Sequence, residues 1–283
     1  MVQDIFPSQF HNEFRPQAVL SADSPVICFD GRKILAADKD GGLSLPSAET
    51  LGINRGPGNA DVIYGFAIDE TEYFIYAGEE IVSADGFEYL DIRDVRKWAD
   101  NVSGMVVFTG YHLCQWYKDS RYCGRCGGRN IFHKSERAMH CPACERNIYP
   151  RIMPAVIIGV INGDKLLLTK YRAGFNNYAL VAGFTEIGET LEETVEREVM
   201  EEAGLRVRNI RYYKSQPWGL ANDILMGFFC DVDGDDEIRM DANELKLAEW
   251  KSPEEIVLHP DSFSLTNEMM AVFKNGELPN RSS

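Results

Sequence analysis

Residues 183–205, which read GFTEIGETLEETVEREVMEEAGL, constrain the folding of this chain more than any other segment. Thr190 followed by Glu193 is the sequence signature of a capping box, which begins a helix. Gly204 can adopt the positive φ angle at which helices commonly end. Apolar residues recur every four positions between these signals: Leu191, Val195 and Val199. The pattern predicts a helix from Leu191 to about Ala203 with one buried face.

Three glutamates of this predicted helix are three and four residues apart: Glu198, Glu201 and Glu202. Side chains at these spacings share one face of a helix. Carboxylate oxygens are hard ligands, which suit Mg²⁺ or Mn²⁺ better than zinc. A solvated acidic face is the alternative, because repulsion at this spacing costs only about 0.2–0.5 kcal/mol per pair. The two glycines, the arginine and the remote Glu189 in the same segment favour the metal site.

The segment fits the pattern G-x5-E-x7-R-E-U-x-E-E-x-G-U, with U apolar, at Gly183, Glu189, Arg197, Glu198, Val199, Glu201, Glu202, Gly204 and Leu205. It resembles the Nudix box of hydrolases that split a diphosphate linked to another moiety. The resemblance implies an α/β fold, an α/β/α sandwich around a mixed sheet. It also implies that Glu189 pairs with Arg197, and that Glu198, Glu202, sometimes Glu201, and the carbonyl of Ala182 bind metal.

Four of the seven cysteines form two Cys-x-x-Cys pairs with fourteen residues between the pairs: Cys123, Cys126, Cys141 and Cys144. This spacing is close to that of a zinc ribbon. A closed site of four thiolates leaves no position for water, so the predicted Zn²⁺ is structural. A redox pair is the alternative for one Cys-x-x-Cys, and the second pair disfavours it. The other cysteines lie in apolar surroundings and are predicted to be buried: Cys28, Cys114 and Cys230.

The 283 residues divide into three predicted regions. Residues 1–118 form an accessory domain, mainly β, residues 119–150 form the zinc ribbon, and residues 151–283 form the hydrolase domain. Strands are predicted at Pro25–Phe29, Val62–Ala67, Glu72–Ala77, Ala155–Ile161, Lys165–Tyr171, Tyr178–Ala182, Val207–Tyr213, Ile224–Asp231 and Leu247–Trp250. A turn is predicted at Asp40-Gly41-Gly42, and helices at Ile92–Val102 and Gly104–Lys118, with a helical segment opening at Pro253–Val257.

The net charge of −15 argues against broad contact with a nucleic-acid backbone, which depends on Lys and Arg. A small anionic substrate remains compatible with it, because divalent metals reverse the local sign of charge. The first residues lack the basic and apolar regions of a signal peptide, and the longest apolar run, Ala155–Ile161, is too short to span a membrane. We expect a cytoplasmic protein without membrane contact.

Ser215-Gln216-Pro217-Trp218, Arg121–Gly127, Tyr149–Val156 and Ala182-Gly183-Phe184 resemble the NADH pyrophosphatase family of Nudix hydrolases, over about residues 105–270. The resemblance implies a homodimer and a further metal ligand, Glu244. It also implies substrate contacts from Tyr149, Phe184, Gln216, Pro217, Trp218 and Thr266. The next five residues replace the Pro-Phe-Pro segment of the family, and we expect them to line the substrate site as well: Gly219, Leu220, Ala221, Asn222 and Asp223.

The function implied by the resemblance is metal-dependent hydrolysis of the diphosphate of NADH or NAD⁺ to nicotinamide mononucleotide and AMP. Glu198, Glu201, Glu202 and Glu244 would act through the metal. The same chemistry extends to the NAD cap at the 5′ end of RNA. A first alternative is a diphosphatase that prefers ADP-ribose or another nucleoside diphosphate derivative. A second is an inactive ligand-sensing or nucleic-acid-binding protein, although no carboxylate of the box is missing.

Overall fold

The computed structural model describes residues 1–39, 42–53, 61–172, 177–259 and 263–278, without the side chains of residues 96–98. It forms two compact units. The carboxy-terminal unit comprises Met1, Ile152–Trp218 and Asp223–Ser283. The amino-terminal unit comprises Val2–Arg151 and the short excursion Gly219–Asn222. The separate folding of residues 1–118 and 119–150 stays a prediction.

The amino-terminal unit contains three small sheets and two helices. Its strands are β1 (Phe10–His11), β2 (Val26–Ile27), β3 (Phe29–Asp30), β4 (Lys33–Lys39), β5 (Gly42–Ser44), β6 (Val62–Ile68), β7 (Thr71–Tyr76), β8 (Glu88–Asp91), β9 (Ile131–Phe132), β10 (Met139–Cys141) and β11 (Arg146–Ile148). The sheet orders are β1-β6-β7-β2, β3-β4-β5 with β8 on β4, and β11-β10-β9. The β-rich character predicted for this region is confirmed.

The two helices of this unit are α1 (Ile92–Trp98) and α2 (Asn101–Asp119). The predicted break at residue 103 is wrong, because Asp100 caps α2 and its carboxylate accepts a hydrogen bond from the Ser103 amide at 2.7 Å. Of the predicted turn at Asp40-Gly41-Gly42, the first two residues lie outside the described part of the chain.

The carboxy-terminal unit is built on a six-stranded mixed sheet. Its elements are β12 (Met153–Asn162), β13 (Lys165–Tyr171), β14 (Val181–Phe184), α3 (Leu191–Ala203), β15 (Val207–Trp218), β16 (Asp223–Val232), β17 (Leu245–Lys251), a 3₁₀ turn (Pro253–Glu255) and α4 (Leu265–Lys274). The order is β15-β16-β12-β13-β17, with β14 on β12. The β12–β16 pair is parallel, and the other pairs are antiparallel.

Strand β12 is the centre of two hydrophobic layers. Its residues Val156, Ile158 and Val160 pack with Val195 and Val199 of α3. Its alternate residues pack on the opposite face with α4: Ile157 and Ile161 beside Leu265 and Met269. The uninterrupted apolar run of β12 therefore reflects burial on both faces. This arrangement confirms the predicted α/β/α sandwich.

Helix α3 confirms the sequence prediction at both ends. The Thr190 and Glu193 side chains form the reciprocal capping box, and Gly204 ends the helix with φ of 69°. Val195 and Val199 are fully buried. This geometry places the glutamates of the segment at the carboxy-terminal end of a helix whose position is set by the sheet.

Other boundaries differ from the predictions. The strand predicted at Tyr178–Ala182 runs instead from Val181 to Phe184, because Ala179 makes an isolated bridge to Thr169. Strand β15 continues past Tyr213 to Trp218. Only a 3₁₀ turn forms at the predicted helical segment, and α4 starts later, where Ser264 accepts a hydrogen bond from the Asn267 amide.

The structure also describes the surroundings of the three remaining cysteines and the apolar character of the helices. Cys28, Cys114 and Cys230 are fully buried, as predicted. Within the described residues, no helix combines the length and the apolar character that crossing a bilayer requires.

Candidate metal centre

Arg197 of α3 holds the loop that follows β14. Its Nε donates to Glu189 Oε1 at 2.6 Å, and its Nη2 donates to Glu189 Oε2 at 3.0 Å and to the Phe184 carbonyl at 2.9 Å. The Glu189 carboxylate also accepts from the Glu186 amide and the Thr194 hydroxyl, each at 3.0 Å. Arg197 first, and then the Glu186 amide, lower the pKa of Glu189 to about 2. The implied pairing of Glu189 with Arg197 is therefore present.

The third nitrogen of the same guanidinium binds the helix itself. Arg197 Nη1 donates to Glu198 Oε1 at 2.7 Å and to Glu201 Oε2 at 2.9 Å. Glu198 is buried, whereas the Glu201 side chain is 61% exposed. One planar guanidinium thus binds three carboxylates and a carbonyl oxygen, an arrangement that suits the fixed fork of arginine.

The four predicted glutamates act on one another electrostatically. Burial, followed by repulsion from Glu198 and Glu244, raises the pKa of Glu202 to about 8. Burial also raises the pKa of Glu198, with Glu201 and Glu244 adding to the effect. Glu244, exposed on the loop before β17, therefore lies close enough to Glu198 and Glu202 to repel their carboxylates.

This donor set fits a hard divalent cation. The guanidinium of Arg197 binds three carboxylates, those of Glu189, Glu198 and Glu201. Glu202 and Glu244 add two carboxylates that interact electrostatically with this group. Carboxylate oxygens are the ligands that Mg²⁺ and Mn²⁺ prefer. The carboxylates do not form a compact set of ligand atoms. Among the described residues, the group of three or more potential metal ligands whose ligand atoms all lie within 4.8 Å of one another is that of the four cysteines.

Gly183 leaves the space that the Glu198 carboxylate occupies. A Cβ atom at Gly183 would overlap the carboxylate carbon and both oxygens of Glu198. Gly183 pairs with Val156 of the central strand, so its backbone cannot withdraw without breaking the sheet. The glycine is therefore required by the close approach of α3 to β14.

Tyr171 and Arg172 are two site residues that the sequence analysis missed. The Tyr171 hydroxyl lies 3.4 and 3.5 Å from the two carboxylate oxygens of Glu202, and it also hydrogen-bonds the backbone of Ala182. The Arg172 amide donates to the Glu244 carbonyl at 3.0 Å. A register shift between Lys170 and Tyr171 marks this end of β13. Such bulges redirect side chains. The sequence gives only a weak indication of these two residues, because Lys170-Tyr171-Arg172 are polar residues at the end of an apolar strand.

The residues Gln216, Pro217 and Trp218, which are predicted to line the substrate site, differ in their burial. Gln216 is fully buried, where its Nε2 donates to the Phe263 carbonyl at 2.5 Å and its Oε1 accepts from the Leu265 amide at 2.8 Å. Gln216 therefore supports the start of α4. Pro217 is exposed, and Trp218 packs against the core on the α4 side of the sheet. Substrate contact by these residues stays a prediction.

The excursion that follows lies in the amino-terminal unit: Gly219, Leu220, Ala221 and Asn222. A Cβ atom at Gly219 would overlap the Phe108 carbonyl, so this glycine permits close packing on α2. Asp223, which begins β16, is buried, and its Oδ1 has no hydrogen-bond partner among the described residues. Burial raises the pKa of Asp223 to about 6.

The remaining predicted contacts are distributed over both units. Phe184 exposes 49% of its surface in the carboxy-terminal unit, and Thr266 is half-buried in the first turn of α4. Tyr149 belongs to the amino-terminal unit, where its hydroxyl donates to Glu136 at 2.9 Å. These three roles also stay predictions.

The four cysteines of the ribbon have the geometry of a zinc site. Sulfur–sulfur distances are 3.7 Å for Cys123 and Cys144, 3.5 Å for Cys126 and Cys141, and 3.7 Å for Cys126 and Cys144. Tetrahedral zinc with Zn–S bonds of about 2.3 Å requires sulfurs at such separations. Backbone N–H groups lower the pKa values of Cys123 and Cys141, whereas burial and the neighbouring thiols raise those of Cys126 and Cys144. The sulfur geometry, rather than any single thiol pKa, therefore identifies the zinc site.

Comparison with known proteins agrees with both sites. Residues 151–272 match the NUDIX domain family, and residues 118–149 match the NADH pyrophosphatase zinc ribbon domain. The chain is 38% identical over 175 residues to the NAD-capped RNA hydrolase NudC of Klebsiella pneumoniae subsp. pneumoniae, covering 60% of this chain and 67% of that relative. The chain belongs to the Nudix family. The resemblance to its NADH pyrophosphatase branch is confirmed by the two domain matches.

Other relatives of this Nudix protein are covered less completely. The chain is 39% identical over 163 residues to the NAD-capped RNA hydrolase NudC of Pectobacterium atrosepticum. This match covers 56% of this chain and 62% of that protein. The match thus spans less than two thirds of the length of this relative. Among solved structures, the Nudix hydrolase of Nitrosomonas europaea has 23% identity and a TM-score of 0.49, covering 56% of this chain and 92% of that chain.

We predict that Gly183→Ala weakens Mn²⁺ binding at least about tenfold, because displaced metal-site side chains typically cost 10–100-fold in affinity. The added methyl group displaces the flexible Glu198 side chain, so the thermal unfolding temperature should change little. Isothermal titration with Mn²⁺ measures the affinity. Gly124→Ala is the control, since a Cβ there meets no atom within 4 Å. Unchanged Mn²⁺ affinity in the Gly183 variant would contradict the placement of Glu198.

We predict that Asp223→Asn stabilises the protein by about 1–2 kcal/mol at pH 8. The folded-state pKa of about 6 lies above the model-peptide value of 3.8, so the wild-type carboxyl loses stability as pH rises through 6. The asparagine variant does not titrate, and its advantage should vanish near pH 4. Denaturation at both pH values tests this, with exposed Asp164→Asn as the control. An equal effect at both pH values would refute the assignment.

Proposed function

We propose that this chain is a divalent-cation-dependent hydrolase that cleaves the diphosphate of NADH or NAD⁺ to nicotinamide mononucleotide and AMP. The same reaction would remove NAD caps from RNA. The observation that carries this proposal is the group of Glu198, Glu201 and Glu202 at one end of α3, where Arg197 binds the first two and Gly183 leaves room for Glu198. Glu244 interacts electrostatically with this group. The zinc ribbon that precedes the hydrolase domain in the sequence, and relatives named NAD-capped RNA hydrolase, support the choice of substrate.

The residues that would hold Mg²⁺ or Mn²⁺ are those four glutamates and the carbonyl oxygen of Ala182. Bound divalent cations neutralise charge on a diphosphate and lower the pKa of an attacking water. In the hydrolysis, water oxygen bonds to one phosphorus atom and the bridging P–O bond breaks. The bridging oxygen leaves with the other phosphate, which gives the two mononucleotides.

The side chains of this unit orient the ligands and the substrate. Arg197 favours the ionised form of Glu198 through a charge-assisted hydrogen bond, which opposes the effect of burial on the pKa of Glu198. The Tyr171 hydroxyl hydrogen-bonds the Glu202 carboxylate, and burial raises the pKa of Glu202 to about 8. Glu202 would therefore release a proton on binding a divalent cation. The exposed ring of Phe184 offers a surface for a base, and such stacking contributes about 1–3 kcal/mol per base.

A second candidate is a diphosphatase that prefers ADP-ribose or another nucleoside diphosphate derivative. It is favoured by the sequence Gly219–Asp223, which replaces an aromatic residue and two prolines expected in the NADH pyrophosphatase family. The homodimer and the cytoplasmic location stay predictions.

The test is the initial rate on NADH, NAD⁺, ADP-ribose and an NAD-capped RNA, at equal concentration with Mg²⁺ or Mn²⁺ and with chromatographic identification of products. We expect the highest kcat/KM on a nicotinamide dinucleotide, and no turnover in EDTA. A preference for ADP-ribose would select the second candidate. Turnover that persists in EDTA would refute a divalent-cation enzyme.

We further expect Glu202→Gln to lower kcat by at least about 10³-fold, because it removes a metal ligand rather than one hydrogen bond. Glu196→Gln on the same helix is the matched control, since Glu196 is exposed and outside the cluster. Near-normal turnover of the Glu202 variant would remove it from the site.

A further inference from the structure

The zinc ribbon is a basic segment in an acidic chain. Residues 118–151 contain eight lysines and arginines and three acidic residues, whereas the whole chain has a net charge of −15. Such an inversion of charge in one small region indicates an anionic partner.

Some of these basic residues have structural partners. Lys118 donates to the Phe29 carbonyl at 2.8 Å, and Arg137 donates to the Gly65 carbonyl at 2.7 Å. Arg121 is paired with Glu79. By contrast, five exposed basic residues have no ion pair or side-chain hydrogen bond in the part of the chain that the structure describes: Arg125, Arg129, Lys134, Arg146 and Arg151. Packing within the unit does not use the charge of these five side chains.

Arg129 lies at the edge of a cleft within the amino-terminal unit. The cleft has a volume of about 390 Å³, and its walls include Tyr117, Phe132, Met139 and Asn130, with one further arginine, Arg121, and one acidic residue, Asp61. Binding sites for small organic groups commonly have this size and this mixture of apolar walls with a few polar groups. Tyr122 bridges Arg129 across the first cysteine knuckle and is 58% exposed. The Tyr122 and Arg129 side chains therefore leave neighbouring positions of one antiparallel pair.

Asn130, a residue of the cleft wall, has a buried acceptor without a partner among the described residues. This residue is 5% exposed, and its Nδ2 donates to the Ser120 carbonyl at 2.7 Å. That bond fixes the orientation of the amide. Its Oδ1 is buried and has no hydrogen-bond partner among the described residues. Buried acceptors are almost always hydrogen-bonded, so the cleft calls for a ligand that carries an N–H group.

We propose that this cleft binds one nucleotide of a single-stranded RNA. A base N–H or amino group donates to Asn130 Oδ1, the base lies against the apolar walls, and Arg129 binds the phosphate. Tyr122 supplies a stacking surface for the adjoining base. Aromatic rings beside basic side chains are the elements by which proteins bind single strands. This inference rests on the proposed activity toward NAD-capped RNA, and it assigns the RNA body a site separate from the glutamate cluster.

The test compares two substrates of the zinc-loaded full chain, free NAD⁺ and a short NAD-capped RNA. Arg129→Gln should lower kcat/KM on the capped RNA about fivefold or more, by loss of a phosphate contact, and leave kcat/KM on NAD⁺ unchanged. Tyr122→Ala should act in the same direction. Arg146→Gln is the matched control, an exposed ribbon arginine outside the cleft walls, and it should change either rate less than about twofold.

Three results would overturn the proposal. Equal losses in the Arg129 and Arg146 variants would indicate diffuse attraction by the ribbon. A loss on both substrates in the Arg129 variant would indicate a general defect, which zinc content would reveal. Binding of AMP that is lost in Arg129→Gln while RNA activity is kept would identify a site for free nucleotides.

Direct binding separates this proposal from the proposed function. Fluorescence anisotropy with an uncapped single-stranded RNA needs no hydrolysis, so it tests the cleft even if NAD⁺ and capped RNA are not cleaved. We expect weaker binding by Arg129→Gln than by Arg146→Gln, and equal binding by both variants would refute the site.

Discussion

The guanidinium of Arg197 joins the two halves of the candidate site. On one side it binds Glu189 and the Phe184 carbonyl, which fixes the loop after β14. On the other side it binds Glu198 and Glu201, which fixes the carboxylates of α3. A lysine ammonium could not reach both sides in this geometry, because it presents a single charge at the end of a flexible chain. The loop conformation and the positions of the glutamates therefore depend on one side chain.

The single positive charge of Arg197 does not neutralise the three carboxylates that it binds. The negative charge that remains makes the site suitable for cations. Glu198 and Glu202 are buried, and burial together with mutual repulsion raises the pKa of each. An uncompensated buried carboxylate costs several kcal/mol, so the site must hold either protons or metal ions. The raised pKa of Glu202 and the fit to Mg²⁺ or Mn²⁺ are thus two consequences of the same charge arrangement.

The parts of the structure that sequence predicts well are those set by local chemistry. Helix α3 begins and ends as its capping box and Gly204 indicate, and the cysteine spacing predicts a compact four-sulfur group. Contacts between residues that are far apart in the sequence are harder to predict. The register shift that brings Tyr171 to Glu202 depends on how β13 pairs with β17, which no short pattern encodes. Gln216 lies within a recognisable motif, yet the alternation of β15 turns its side chain inward.

The most direct test of the metal centre is anomalous diffraction from crystals of the full chain grown with Mn²⁺. Our account predicts manganese peaks beside Glu198 and Glu202, and a zinc-edge peak enclosed by Cys123, Cys126, Cys141 and Cys144. Manganese bound elsewhere, with no peak at the glutamates at saturating concentration, would contradict the account.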